Sequence, residues 1–477
     1  MAPDDDHKCG WRDVAEKHEQ ELAKVKAQLD ALTRKVFGKS SEKMPPMDRE
    51  VRRGEQADPE KTREKRRRAA ELRTTRAVTE DVITNVPDDK RTCPHCESGA
   101  RVTPLGPGKE CSVWHWVPGF FRRMRFVRET VACKCGAYVY TAPCPDKGTT
   151  SEKTRYAPSF IAHLIVSKCD DSLPLYRIEQ QYERLGIPMA RSTMSDLFHR
   201  AAGDLAPIAD ALLAEVRASP VVHADETPMR MQTSKKRAYL WTFLAGKLTA
   251  YRFSASRSGK TPCDVLGNSQ GHLVVDAYTG YNAVTCADGR VRVGCLAHVR
   301  RKFFDAKKSA PESEVALEII TALYRVEREA KDQNLAGSPK HLAMRDARSK
   351  PLMAQLHAWL VEQRPQHPPR GPLGAAIGYT LDNWTELTHF VGDARLPLDN
   401  NAAEAALRVV ALGRKNWLFV YDEEKGKNLA GLLSLVATCE ANDVNPVAYL
   451  TDVLARLGRH PADRIGELLP HRWKPAT

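Results

Sequence analysis

Three acids carry the chemistry this sequence offers: Asp225 in SPVVHADETP, Asp276 in GHLVVDAYTGY and Glu404 in LPLDNNAAEAALR. Carboxylates are hard oxygen donors, and several held together suit Mg²⁺. Two such ions per site make a centre for attack on a phosphodiester, one lowering the pKa of a nucleophilic water and the other stabilising the leaving oxygen. Glu226 adjoins Asp225, but successive side chains on a strand point to opposite faces, so only one of the two can join the cluster directly. Asp225 is the choice, because it shares a face with His223 and Val221. Taken singly, each acid has an ordinary reading. Asn401-x-x-Glu404 fits a capping box, in which the Glu only satisfies a backbone N–H, and Asp399, Asn400 and Asn401 could all serve as caps.

The elements around the acids decide between these readings. Asp225 and Asp276 each end a short apolar strand, and Glu404 opens a helix. Between the two aspartates lie two more strand-like runs, AYLWTFLAG (238–246) and LTAYRFS (248–254). Strand with Asp, hairpin, helix, strand with Asp, then a distant helix with Glu is the order in which a ribonuclease-H-like sheet gathers acids. The 128 residues between Asp276 and Glu404 exceed what a compact sheet needs. Their middle, about 305–395, is mostly helical in pattern and reads as a helical insertion placed over the acids.

Basic residues accompany the acids. CLAHVRRKF sets Arg300, Arg301 and Lys302 at a helix start, and LRVVALGRKNW sets Arg408, Arg414 and Lys415 after Glu404, six candidate contacts for DNA phosphates. Glu404 and Arg408 are i,i+4 neighbours, so Arg408 reads either as an ion-pair partner or as a phosphate contact. His298 could act as a general acid or support the ligands, although a lone His at a helix start is more often structural. The chain's net charge of +13 favours an acidic polymer as partner, nucleic acid first.

Its 477 residues predict about three domains. Residues 1–40 carry apolar positions Leu22, Val25, Leu29, Leu32 and Val36 at heptad spacing, an expected dimerising coiled coil. Residues 41–85 are a basic linker. Residues 86–145 hold Cys93 and Cys96 in CPHC and Cys133 and Cys135 in CKCG, an expected structural Zn²⁺ site in a small β domain. Cys111, Cys144, His95 and His115 could substitute at the tighter second knuckle. Residues 146–215 are helical, and their Gly186 turn fits a helix-turn-helix or any helical hairpin. The catalytic domain spans 216–425, and 426–477 form a helical tail. No apolar run of about 18 residues is present and the N-terminus is unlike a secretory signal, so the expected place is the cytoplasm.

HADET, DAYTGYN, CLAHVRRKF, LDNNAAEAALR, GRKNWLF, SLVATCEAN and PVAYLTDVLARL, with FGKSSEK and CPHC before them, resemble the transposase of the bacterial insertion sequence 66 family over nearly the whole chain. The resemblance implies a DDE transposase with Asp225, Asp276 and Glu404 as its acidic triad. It implies Mg²⁺-dependent hydrolysis at transposon ends followed by strand transfer into target DNA. Double-stranded DNA would be the substrate and a homodimer or larger assembly the working form, with room for accessory proteins of the same element. The pattern departs at Ala405, where Arg is usual, at Val409, where Pro is usual, and at the Cys133–Cys135 spacing. A non-catalytic DNA-binding regulator and a structure-selective nuclease are the rival readings.

Overall fold

The computed structural model describes residues 156–475 except Leu418, together with residues 63, 64, 67 and 119 and the backbone of 130–132 and 139–141. The coiled-coil stripe of 1–40, nearly all of the 41–85 linker, and Cys93, Cys96, Cys133 and Cys135 lie outside the described residues. Two compact units divide the chain, residues 42–120 and the remainder. In the first, Arg67 and Glu64 form an ion pair one helical turn apart.

In the second unit, β1 (Thr130–Ala132) pairs antiparallel with β2 (Val139–Thr141). Three helices follow: α1 (Pro158–Cys169), α2 (Leu175–Arg184) and α3 (Arg191–Ala218). Gly186 closes α2 at φ +79, a left-handed turn that suits a residue without Cβ.

The sheet comes next. β3 (Val221–Met231), β4 (Arg237–Ala245) and β5 (Leu248–Ser254) form an antiparallel meander that contains both expected hairpin runs. After α4 (Lys260–Leu266), β6 (His272–Val274) and β7 (Val291–Val293) add in parallel on the other side of β3, giving the order β5-β4-β3-β6-β7. Gly271 admits β6, since a Cβ there would collide with the Pro220 carbonyl, which instead accepts the His272 N–H at 2.7 Å.

β3 is longer than its apolar start suggests. It runs on past Asp225, through Pro228, to Met231. Proline lacks the N–H that a central strand needs. Here, however, β3 has no strand partner on that edge between the end of β6 and the start of β8, so no ladder bond is lost.

The chain then builds the helical insertion: α5 (Leu296–Ala306), α6 (Ser313–Asp332), α7 (Pro339–Met344), a π-helical turn (Arg345–Ser349), α8 (Lys350–Gln363), α9 (Pro372–Asp382) and α10 (Trp384–Gly392). Val299, Phe303, Ile320, Leu323, Leu356, Ile377 and Phe390 close its own core. Arg345 is buried in it, forked onto Glu327 at 2.6 and 2.8 Å, and it donates to the carbonyls of Phe390, Asp393 and Leu396. This fixes the strand-free segment that returns to the sheet.

Then come α11 (Asn401–Trp417), β8 (Phe419–Val420) against the far end of β3, α12 (Glu423–Ala441) and α13 (Pro446–Arg456). α12 seals the outer edge of β5: Ser434 Oγ accepts the Tyr251 N–H at 2.7 Å, and Thr438 Oγ1 bonds both N–H and C=O of Thr249. Such cover removes a free sheet edge. The main core joins α1–α3 and α11–α13 with one face of β3, β4 and β5, so helices read as flanking segments share a core with the sheet. No described helix is long and apolar enough to cross a membrane.

Candidate active site

β3 and β6 run parallel, with His223 paired to Val274. Two residues further along each chain stand Asp225 and Asp276, level with one another where β6 has ended. Parity along β3 separates Asp225 from Glu226. His223, Asp225 and Thr227 face α11. Val222, Ala224 and Glu226 face the small core of Trp241, Phe243 and Tyr281. Glu226 is held there by Arg257, at 2.5 and 2.7 Å, and by the Tyr281 hydroxyl at 2.8 Å.

Glu404 arrives on α11, which lies along the open edge of β3. Asn400 seats its start. The Asn400 side-chain amide donates to the Ala224 carbonyl at 2.8 Å, its Oδ1 lies 3.0 Å from His223 Nδ1, and its backbone N–H points at Cys295 Sγ at 3.2 Å. Thirteen or so residues on, Arg414 donates to Thr227 Oγ1 at 3.0 Å and to the Pro228 carbonyl. Thus Ala224 and Pro228, in the stretch that has no strand neighbour on that edge among the described residues, are bonded by Asn400, just before α11, and by Arg414 within it. The capping-box reading of Glu404 does not hold in detail, because the Asn401 N–H is taken by Asp399 Oδ1 at 3.0 Å. Asp399 is itself gripped by the Tyr324 hydroxyl of α6 at 2.8 Å, so the insertion touches the segment that delivers Glu404.

The acids feel one another. Burial, then the charges of Glu226, Asp276 and Glu404, push the Asp225 carboxyl up to about 8, against the opposing pull of the Glu226 N–H donated to its Oδ1. Burial likewise raises Glu226, which Tyr281 and Arg257 counter. Among the described residues, though, no three His, Cys, Asp or Glu side chains stand close enough to share one metal ion as placed. Electrostatic proximity and ligand geometry therefore disagree. The side chains are near enough to repel, and their donor atoms have not converged. Glu404 leans instead toward Arg301, 3.9 Å away on α5.

Arg408, the i,i+4 candidate, is exposed and lies beyond ion-pair reach of Glu404. Lys302 sits over the Tyr379 ring at 4.3 Å, Arg300 is half-buried and Lys415 is exposed. Ala405 and Val409, the two departures, are both exposed on α11. His298 stands between acids and bases. Burial lowers its pKa, Asp276 and Glu404 pull it back up, and its buried Nδ1 has no hydrogen-bond partner.

Sequence reasoning did not find Arg292. Its guanidinium binds the carbonyls of Asp276 (2.6 Å) and Tyr278 (2.8 Å) and Asn282 Oδ1 (2.8 Å), holding the loop that carries Asp276, while Asp276 Oδ1 accepts the Tyr278 N–H at 3.0 Å. A charged residue inside the three-residue strand VRV was the available signal. Asn400 was noted only as a possible cap.

The chain is similar to known proteins along most of its length. The model of the "Transposase IS66 family" matches residues 153–428 and that of the "IS66 C-terminal element" matches 434–471. Two proteins of Sinorhizobium fredii are similar along most of the chain. Uncharacterized protein y4hP is 32% identical over 415 residues, covering 81% of this chain and 74% of its own. Uncharacterized protein y4jD is 34% identical over 382 residues, covering 75% and 74%.

Proposed function

The chain belongs to the IS66 transposase family, and on that footing we propose a DDE transposase with a ribonuclease-H-like catalytic core. Asp225, Asp276 and Glu404 would be its acids. The observation that carries the reading is the placement of Asp225 on β3 and of Asp276 just past the end of its parallel neighbour β6, with Glu404 set beside them by a helix braced on β3. An all-oxygen donor set whose member Asp225 is pushed up to about 8 by burial first and by its acidic neighbours second fits hard divalent cations, which would relieve the repulsion among the acids. Two Mg²⁺ held by these carboxylates would supply an activated water and a stabilised leaving oxygen.

The remaining roles belong to the chain. Arg292 keeps Asp276 on its loop, and Asn400 keeps the start of α11 on β3. Arg300, Arg301, Lys302, Arg408 and Lys415 offer charge for DNA phosphates around the acids, and Arg301, 3.9 Å from Glu404, would share that carboxylate with the cations. Arg414 joins that list from sequence, but its bonds to β3 favour a bracing role. Hydrolysis at an element end frees a 3′-OH, which attacks target DNA at the same acids. The structural Zn²⁺ on Cys93, Cys96, Cys133 and Cys135 and a dimer through 11–36 complete the proposal.

Incubating the protein with its element ends and Mg²⁺ tests the function. Nicking at the 3′ end followed by joining to a second DNA is the expected outcome. Hydrolysis without joining would make it a nuclease, and binding without either step would make it a regulator.

A further inference from the structure

Past Pro228, the β3–β4 hairpin leaves the small core behind. Its two faces then differ completely. On one, Met229, Met231, Ala238, Leu240 and Val420 are buried in the main core. On the other, register places Arg237, Arg230 and Phe419 side by side across three neighbouring strands. Tyr421 follows Phe419 two residues on, held by the Thr233 N–H on its carbonyl at 3.0 Å. Phe419 is 43% and Tyr421 58% exposed. Lys235 and Lys236 form the exposed hairpin turn. Among the described residues, none of Arg230, Lys235, Lys236 and Arg237 has an acid within ion-pair distance, and the four stand together on one end of one hairpin.

We propose that this outer face of the sheet binds unpaired nucleotides of DNA. Four cations without counter-charges call for a polyanion. Two large rings left in water next to two guanidinium groups call for flat apolar surfaces, since bases stack on aromatic side chains and do so regardless of sequence. A duplex hides those base faces in its own stack, and an unpaired strand presents them. A patch for duplex backbone alone would need the arginines and not the rings. Arg230 lies five residues from Asp225 on the same strand, about 17 Å away, but on the opposite face of the sheet, so one DNA strand reaches both by passing round the open edge of β3. The proposal rests on the reading that the chain acts on DNA, and it names the part of the DNA that this face takes, the strand freed next to a break.

Binding distinguishes the two ideas without any cleavage. The full chain is titrated by fluorescence anisotropy against a labelled, unstructured single-stranded DNA and against a blunt duplex of the same length. Phe419→Ala with Tyr421→Ala should weaken single-strand binding about tenfold or more and leave duplex binding unchanged. Phe419→Trp with Tyr421→Trp should retain it. Arg230→Gln with Arg237→Gln should lower the slope of log affinity against log salt by about 1.4 on the single strand. All four substituted side chains are exposed, and unaltered thermal unfolding checks that the fold is kept. Single-strand binding by the double alanine variant equal to wild type overturns the proposal, as does an equal loss on both DNAs. A protein that never cuts DNA yet shows the ring-dependent preference would sink the transposase reading and leave this one standing.

Discussion

Asp225 on β3 and Asp276 in the loop after β6 each stand two residues past the parallel pair His223 and Val274. One has a strand ladder with β4 on its far side, the other lies in the loop beyond β6. Both therefore border the same gap in the sheet, and α11 fills that gap from Ala224 to Pro228. The arrangement makes several outcomes testable.

Acidity comes first. In the folded chain Asp225 titrates near 8, against an ordinary 3.8. A carboxyl with a raised folded pKa favours the native state while it is protonated. Its contribution is full below about pH 4 and is lost as pH rises to about 8. Mg²⁺ or Mn²⁺ binds the charged form, so added metal should raise the melting temperature more at pH 8 than at pH 6. In Asp225→Asn both the loss with pH and the metal effect should shrink. A metal-induced rise that is the same at both pH values and survives the substitution would detach Asp225 from the cation site.

Asn400 should matter beyond its size. Asn400→Ala leaves the Ala224 carbonyl and His223 Nδ1 without their partner, a cost of about 1–3 kcal/mol for a buried polar group. Because the same side chain seats the start of α11, cleavage should fall further than stability explains. Urea unfolding and initial cleavage rates, measured together at a temperature where the variant is fully folded, separate the two. A folded variant with wild-type rate would show that Glu404 needs no such seat.

Two arginines of α11 should behave oppositely. Arg414→Gln breaks bonds to Thr227 and Pro228 and should lower stability with little change in the salt dependence of DNA binding. Arg408→Gln, on the exposed side, should leave the melting temperature alone and reduce the salt slope by about 1. The reverse pattern would exchange their roles.

The cysteine prediction stands on sequence. Purified chain should carry about one Zn²⁺, and Cys93→Ser or Cys96→Ser should lose it. Elemental analysis of fresh protein without zinc would remove the site.

Local pattern made a good part of this legible. The hairpin runs, the helical stretch before Glu404 and the opposed faces of Asp225 and Glu226 all follow from periodicity within one element. What pattern could not show depends on pairings between distant segments. The length of β3 past Pro228 requires knowing that its edge is open there. The partnership of His223 with Asn400 spans 177 residues, and Arg414 looked like a phosphate contact because nothing in α11 announces the carbonyl it meets. β8, two residues long, is too short for any periodicity. The link from Tyr324 to Asp399 likewise joins the insertion to the site in a way no local motif encodes.

The central claim is that Asp225, Asp276 and Glu404 form one catalytic centre. Its most direct measurement is cleavage of a labelled element-end duplex in Mg²⁺ by wild type and by Asp225→Asn, Asp276→Asn and Glu404→Gln, with DNA binding and thermal unfolding measured alongside. The account predicts 3′ nicking by wild type and none above background in each variant, while all three fold and bind DNA. Undiminished nicking in any one of them would contradict it and take that acid out of the centre.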